Sequence, residues 1–303
     1  MTAYHRHRRF LDPGVVARLR SLPLCSRKPM LGSVSGMHVS PHRGASVEFA
    51  EYRRYVAGDD LRRLDWRAFG RTDRFYIKEF EADTNLRLVF ILDTSGSMAY
   101  GSTGLTKLQY AERLVATLAY LAVAQGDAVG LTCIADRVIH QLPPRRHPGH
   151  LSLLFDMLET LRPHGTTALI KSLHELAATL RQRALVILLS DLFTEPESLR
   201  SCMEHFRFCQ HDVAVFHLLD PEEVDFTVNQ PTRFLDLEGG EAVFSDPAEM
   251  GDRYRAAVRA YLDSMETMMR ETAIDYHRVQ VDQPYEQTLT RFLLQRVHRR
   301  RRR

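Results

Sequence analysis

Val89-Phe90-Ile91-Leu92-Asp93-Thr94-Ser95-Gly96-Ser97-Met98 is the stretch from which the architecture of this 303-residue chain is read. Four consecutive apolar residues predict a strand buried on both faces, the kind found in parallel sheets. The strand ends in Asp93, and Ser95 and Ser97 follow at alternate positions through a tight loop containing Gly96. Alternation in an extended loop turns Asp93, Ser95 and Ser97 to one side, so one carboxylate and two hydroxyls converge at the carboxyl end of a strand. Ligands of open α/β sheets bind there. Oxygen-only groups with few carboxylates suit a hard divalent cation, Mg²⁺ first, with Mn²⁺ or Ca²⁺ as substitutes. Ser and Gly are also ordinary loop residues after a strand, so the rest of such a site must come from elsewhere.

Two later segments supply it. Pro163-His164-Gly165-Thr166-Thr167 opens a helix running to Leu180, and its Gly-Thr pair brings a hydroxyl beside a helix N-terminus, where a helix cap is the alternative use. Ala184–Ser190 is the most apolar strand of the chain, and it too ends in an aspartate, Asp191. That carboxylate reaches the same edge as Asp93, unless it caps the helix beginning near Glu197.

The intervening pattern is repetitive. Lys107–Gln125 has apolar residues at helical spacing around most of its circumference and is closed by Gly126. Asp127–Ile134 is a second buried strand, Arg137–Gln141 a short polar edge strand, and Pro143–Gly149 a loop before a helix over 150–161. A strand over 211–219, a hairpin around Gly239-Gly240, a helix over 247–272, a strand over 274–281 and a helix over 285–298 follow. Alternating strands and helices with right-handed crossovers predict an α/β, doubly wound, mostly parallel sheet with helices on both faces.

Upstream the texture differs. Residues 1–30 are basic, with a short helix near Val15–Leu22, and residues 31–85 form a charged extension in which acidic and basic side chains nearly balance. Short strands are predicted at Ser46–Phe49 and Phe75–Lys78, and Asp59 or Asp60 caps a helical turn carrying Leu61, Leu64 and Trp66. The extension is either a solvated, salt-bridged face or a partner surface. The chain divides into these two segments, a domain over 86–298 and an arginine tail over 299–303.

No run of 18 apolar residues occurs, the N-terminus lacks an apolar signal core, and the four cysteines are sparse. A soluble cytoplasmic protein is the expectation. Net charge is +3, concentrated in His5–Arg9 and in Arg296, His298 and Arg299–Arg303. A frayed, solvated tail is the ordinary reading of that run, with nucleic acid or an anionic membrane surface as the rival.

Asp93, Ser95 and Ser97, then Gly165-Thr166, then Ser190-Asp191, taken in chain order at strand ends, resemble the metal-ion-dependent adhesion site of von Willebrand factor A domains. The block SPHRGASVEFAEYRRYVAGDDLRRLDW, followed by RTDRFYIKEFEADTN, is similar to the signature upstream of the A-like core in the domain of unknown function 58 family. The resemblance spans roughly residues 30–300, with Ala57 standing where a proline is usual, and it lacks the membrane helices of some relatives. It implies a von Willebrand factor A-like fold and a non-catalytic, Mg²⁺-dependent protein-binding adaptor. Its implied partner is a MoxR-type AAA+ ATPase, in chaperone-like remodelling or activation of client proteins. A partner Asp or Glu would complete the metal shell. The implied ligand set is Asp93, Ser95, Ser97, Thr166 and Asp191: the serines bind directly, Thr166 directly or through water, and the aspartates directly or by orienting waters and hydroxyls.

Rival chemistries have thinner support. Two aspartates near Mg²⁺ could serve phosphoryl transfer in a metal-dependent hydrolase, but no Gly-rich loop with lysine and no H-E-x-x-H is present. Cys202, His205 and Cys209 share a helix face with zinc-ligand chemistry, though a helix of this kind needs an apolar face that cysteine can supply. Met265, Met268 and Met269 read as core.

Overall fold

The computed structural model describes residues 8–26, 48–54, 66–72, 75–81, 86–227, 232–234, 237, 243–245 and 247–301. Helix α1 (Pro13–Leu19) starts at Asp12, whose carboxylate accepts the Gly14 and Val15 N–H groups. Strands β1 (Glu48–Arg54) and β2 (Tyr76–Glu81) pair antiparallel, with helix α2 (Trp66–Thr72) between them in sequence. The rest of the charged extension, including the turn at Leu61 and Leu64, lies outside the described residues.

The main domain follows as β3 (Arg87–Asp93), a 3-10 turn at Gly96–Ala99, α3 (Lys107–Ala124), β4 (Ala128–Ile134), β5 (Val138–Arg145), α4 (Pro148–Thr160), α5 (Leu169–Thr179) and β6 (Leu185–Ser190). It continues with α6 (Pro196–Phe208), β7 (Asp212–Leu219), α7 (Pro221–Asp225), the β8 (Thr232–Phe234) and β9 (Val243–Ser245) hairpin, α8 (Pro247–Glu271), β10 (Asp275–Gln280) and α9 (Tyr285–Arg301). Six strands form one sheet in the order β10-β7-β6-β3-β4-β5. All neighbours are parallel except the edge pair β4–β5.

Strand β3 shows why both faces are covered. Leu88, Phe90 and Leu92 pack into one apolar core, Val89 and Ile91 into another. The first core takes residues of α1, α3, α4 and α9, the second residues of α5, α6 and α8, including Met265, Met268 and Met269. The N-terminal segment belongs to this domain physically, since Phe10, Leu19 and Leu24 are buried in the first core.

Three expectations change. The loop assigned to 143–149 is shorter, because β5 runs to Arg145 through Pro143 and Pro144. An edge strand tolerates proline, having no neighbour to receive its missing N–H. Thr166 does not cap α5, whose N-cap is Ala168 without a side-chain bond. Arg296 is no part of a solvated tail. It is fully buried, its Nε donating to the Cys25 carbonyl at 2.6 Å and its other nitrogens to Asp275 (2.8 Å) and Asp212. Among the described residues no helix is long and apolar enough to cross a membrane.

Candidate metal centre

Counted in chain order, the six strands lie 3-2-1-4-5-6 across the sheet, and the order reverses between β3 and β6. Crevices at the carboxyl ends of strands flanking such a switch point are where open α/β sheets bind ligands. Asp93 ends β3, and Asp191 directly follows β6, whose Leu189 is in register with Leu92. Both carboxylates are buried, at 1% and 3% exposure.

The loop after β3 is held from several sides. Asp93 Oδ1 accepts the Ser95 N–H at 3.0 Å and Oδ2 the Ser190 hydroxyl at 2.6 Å. Thr94 turns away, its N–H and hydroxyl both donating to the Ile134 carbonyl of β4. Ser95 and Ser97 place their hydroxyl oxygens 3.0 Å apart. The segment before α5 docks through three backbone bonds: Gly96 N–H to the Gly165 carbonyl at 2.9 Å, His164 N–H to Thr94 at 3.0 Å, and Ala168 N–H to Ala135 at 2.7 Å. Gly165 needs its glycine, with φ at +71°. Gly96 needs its own for space, because a Cβ there would collide with the Leu237 carbonyl and come within 3.2 Å of that of Gly165.

The charge pattern contains a residue that the sequence reading passed over. Lys107, the first residue of α3, is fully buried, and its ammonium donates to Asp191 Oδ2 at 2.7 Å and Glu223 Oε1 at 2.6 Å. Burial alone would lower the Lys107 pKa, but the charges of Asp191 and Glu223 outweigh it and hold it above the ordinary value. Burial, followed by the charge of Asp191, pushes Asp93 up to about 6. One ammonium thus pairs with two carboxylates while Asp93 beside them has only neutral donors, so Asp93, Asp191, Glu223 and Lys107 together carry two negative charges when all are ionised. No sequence spacing links Lys107 with Glu223. The available signal was a lysine at the N-terminus of an otherwise apolar helix, where the macrodipole disfavours a cation.

Of the residues expected to meet here, Thr166 is exposed, whereas the Thr167 hydroxyl is buried without a hydrogen-bond partner. A buried hydroxyl left unpaired costs about 1–3 kcal/mol, which a bound group would recover. The donor set fits Mg²⁺. It is all oxygen, it holds two carboxylates of which Asp191 shares its charge with the Lys107 ammonium, and two Mg–O bonds at right angles, each about 2.1 Å, span about 3 Å, the Ser95–Ser97 spacing.

The zinc alternative does not assemble. Cys202 is buried with its thiol on the Ile170 carbonyl, and His205 Nδ1 lies 3.1 Å from His174 Nδ1. Among the described residues no three His, Cys, Asp or Glu side chains group so as to hold a metal. A site built largely from hydroxyls and backbone needs no such group.

Residues 51–264 match the family model described as Protein of unknown function DUF58. The chain belongs to this family. The matched range of the DUF58 family contains Asp93, Ser95, Ser97, Thr166, Thr167 and Asp191, and also Lys107 and Glu223. Similar relatives are the uncharacterized proteins Rv1480 of Mycobacterium tuberculosis and Mb1516 of Mycobacterium bovis, each 27% identical over 85% of this chain and 82% of the relative. Solved structures similar to it include BatB from Bacteroides thetaiotaomicron, at 17% identity and a TM-score of 0.47 over 71% of this chain and 100% of that one. An aerotolerance-related membrane protein from Bacteroides fragilis follows at 16% identity and a TM-score of 0.46, over 71% and 99%. The SpRpn10 VWA domain gives 12% and 0.40 over 68% and 94%. On its own strand order and direction, this DUF58 chain has the von Willebrand factor A-like, doubly wound, mostly parallel sheet that its sequence led us to expect.

Proposed function

We propose that this chain is a non-catalytic, Mg²⁺-dependent protein-binding adaptor working in the cytoplasm. Asp93, Ser95, Ser97, Thr167 and Asp191 hold the ion, with Thr167 taking the place first given to Thr166. The carrying observation is the charge imbalance at the switch point: one ammonium pairs with Asp191 and Glu223 while the neighbouring buried Asp93 has no cation on it, and the Thr167 hydroxyl is buried without a partner. Mg²⁺ keeps open positions for further oxygen ligands and supplies an electrophilic centre for an incoming carboxylate.

The chain's own residues prepare that encounter. The Ser95 N–H and the Ser190 hydroxyl orient Asp93, and the three backbone bonds to the segment before α5 fix the loop that carries the serines. The Ser190 hydroxyl on Asp93 is fully buried at the end of its strand, out of reach of a substrate, which favours binding over turnover. An Asp or Glu from a MoxR-type AAA+ ATPase, or from a client that the two proteins remodel, is the proposed occupant of the open position.

Calorimetric titration with MgCl₂, followed by pull-down with a purified MoxR-type ATPase in Mg²⁺ or in EDTA, tests this reading. Wild type should bind Mg²⁺ and retain the ATPase in Mg²⁺ alone, and Asp93→Ala should do neither. Equal retention in both buffers would refute metal-dependent binding.

A further inference from the structure

We propose that Lys107 and Glu223 are the specificity-determining pair of the metal centre, setting its net charge and through it the strength and choice of cation. The inference rests on the metal reading above.

Neither residue belongs to the ligand set, and their placement is poorly explained by stability. Lys107 lies at the start of α3, where the helix dipole disfavours a cation. Buried ion pairs are weak stabilisers compared with apolar residues of the same volume. A fold needing only a packed corner here would do as well with apolar residues in place of the whole charged group.

The pair is nevertheless built with care. The Lys107 N–H donates to the Tyr100 carbonyl at 2.9 Å, and Thr106 and Gln109 form a capping box around it. Glu223 spends its second oxygen on the Asp220 N–H at 2.9 Å, within the capping box of α7. Asp220 in turn accepts the Ser102 N–H at 2.8 Å and its hydroxyl at 2.5 Å, and Tyr100 donates to Glu222 at 2.5 Å. The ammonium is therefore fixed from two directions and cannot swing away from Asp191.

Its electrostatic effect follows. With one oxygen of Asp191 claimed by the ammonium, less of that carboxylate's charge is free for a metal. Ca²⁺ draws on six to eight oxygens, many of them carboxylate, whereas Mg²⁺ keeps several waters and one or two carboxylates. Lys107 thus biases the centre toward Mg²⁺. Glu223 works in the opposite sense, drawing the ammonium partly off Asp191 and restoring negative charge.

The two residues can be told apart from mere structural supports because their removal should move affinity in opposite directions. Calorimetric titration of the full chain with MgCl₂ and with CaCl₂ is the measurement. Glu223→Gln should weaken both ions about tenfold, the scale of one charge acting at short range. Lys107→Met should tighten both by a similar factor, Ca²⁺ more than Mg²⁺, although the metal-free protein loses thermal stability. Should Lys107→Met fail to fold, Glu223→Gln decides alone: weaker binding supports the proposal and unchanged binding overturns it. Shifts in one direction for both variants, or none, would overturn it while leaving the metal reading intact. Absence of Mg²⁺ binding in wild type, or equal binding in Asp93→Ala, would remove the metal reading and this inference together.

Discussion

Ser190 donates its hydroxyl to Asp93 Oδ2 at 2.6 Å and accepts the Leu192 N–H at 2.9 Å, so one side chain at the end of β6 joins Asp93 to the backbone turn that carries Asp191. Both oxygens of Asp93 carry a donor, yet burial and the charge of Asp191 still push its carboxyl up to about 6. Two buried carboxylates facing each other with too little positive charge is a state that a divalent cation relieves.

The pH dependence has a definite sign. Asp93 holds its proton more tightly folded than unfolded, so its contribution to metal-free stability is largest below its ordinary value of 3.8 and is lost as pH rises through about 6. Thermal melts in EDTA should show this loss, at most about 3 kcal/mol, and Asp93→Asn should abolish it. Mg²⁺ affinity should run the other way, falling up to about tenfold per unit as pH drops below 6, because the proton and the metal compete.

Thr166 and Thr167 separate the site expected from spacing from the one implied by burial. Thr167→Val, nearly the same shape without the hydroxyl, should weaken Mg²⁺ binding by at least about tenfold in calorimetry. Thr166→Val should leave it nearly unchanged, since that side chain is exposed.

Glu112 offers a test away from the site. It is buried on α3 with Arg9 at 3.2 Å, and burial, only partly offset by that guanidinium, pushes its carboxyl up to about 7. The folded chain is therefore penalised once Glu112 ionises. Glu112→Gln should raise stability in urea unfolding at pH 8 by about 1–3 kcal/mol, and the gain should vanish near pH 4.5.

Arg296 should be among the costliest residues to truncate. Arg296→Ala leaves Asp212 and Asp275 as buried charges without their guanidinium, at a cost of about 3–5 kcal/mol. Urea denaturation measures it directly, and a loss below about 1 kcal/mol would mean that these carboxylates are effectively solvated.

Much of the fold was legible because its signals are local. A strand buried on both faces must be apolar at every position, and β3, β4, β6 and β7 are buried along nearly their whole length. Cap chemistry and helical spacing likewise marked α3 within one residue of its observed bounds. The proposed carboxyl-edge site draws on equally local signals: Asp93, Ser95 and Ser97 lie on one short loop, and Asp191 follows the end of β6. Thr166 and Thr167 look alike in sequence, and only the structure exposes the first while burying the hydroxyl of the second.

What sequence by itself determined is therefore the order of strands and helices and the identity of the oxygen groups at the strand ends, since both follow from side-chain periodicity within a few residues. Tertiary structure alone decided the electrostatics. Lys107 meets Glu223 across 116 positions of chain and Asp191 across 84, and Arg296 meets Asp212 across another 84. Each contact exists because packing of the two cores brings distant segments together and strips water from them. In that dry corner a charge is governed by its nearest neighbours in space, and none of those neighbours is near in sequence.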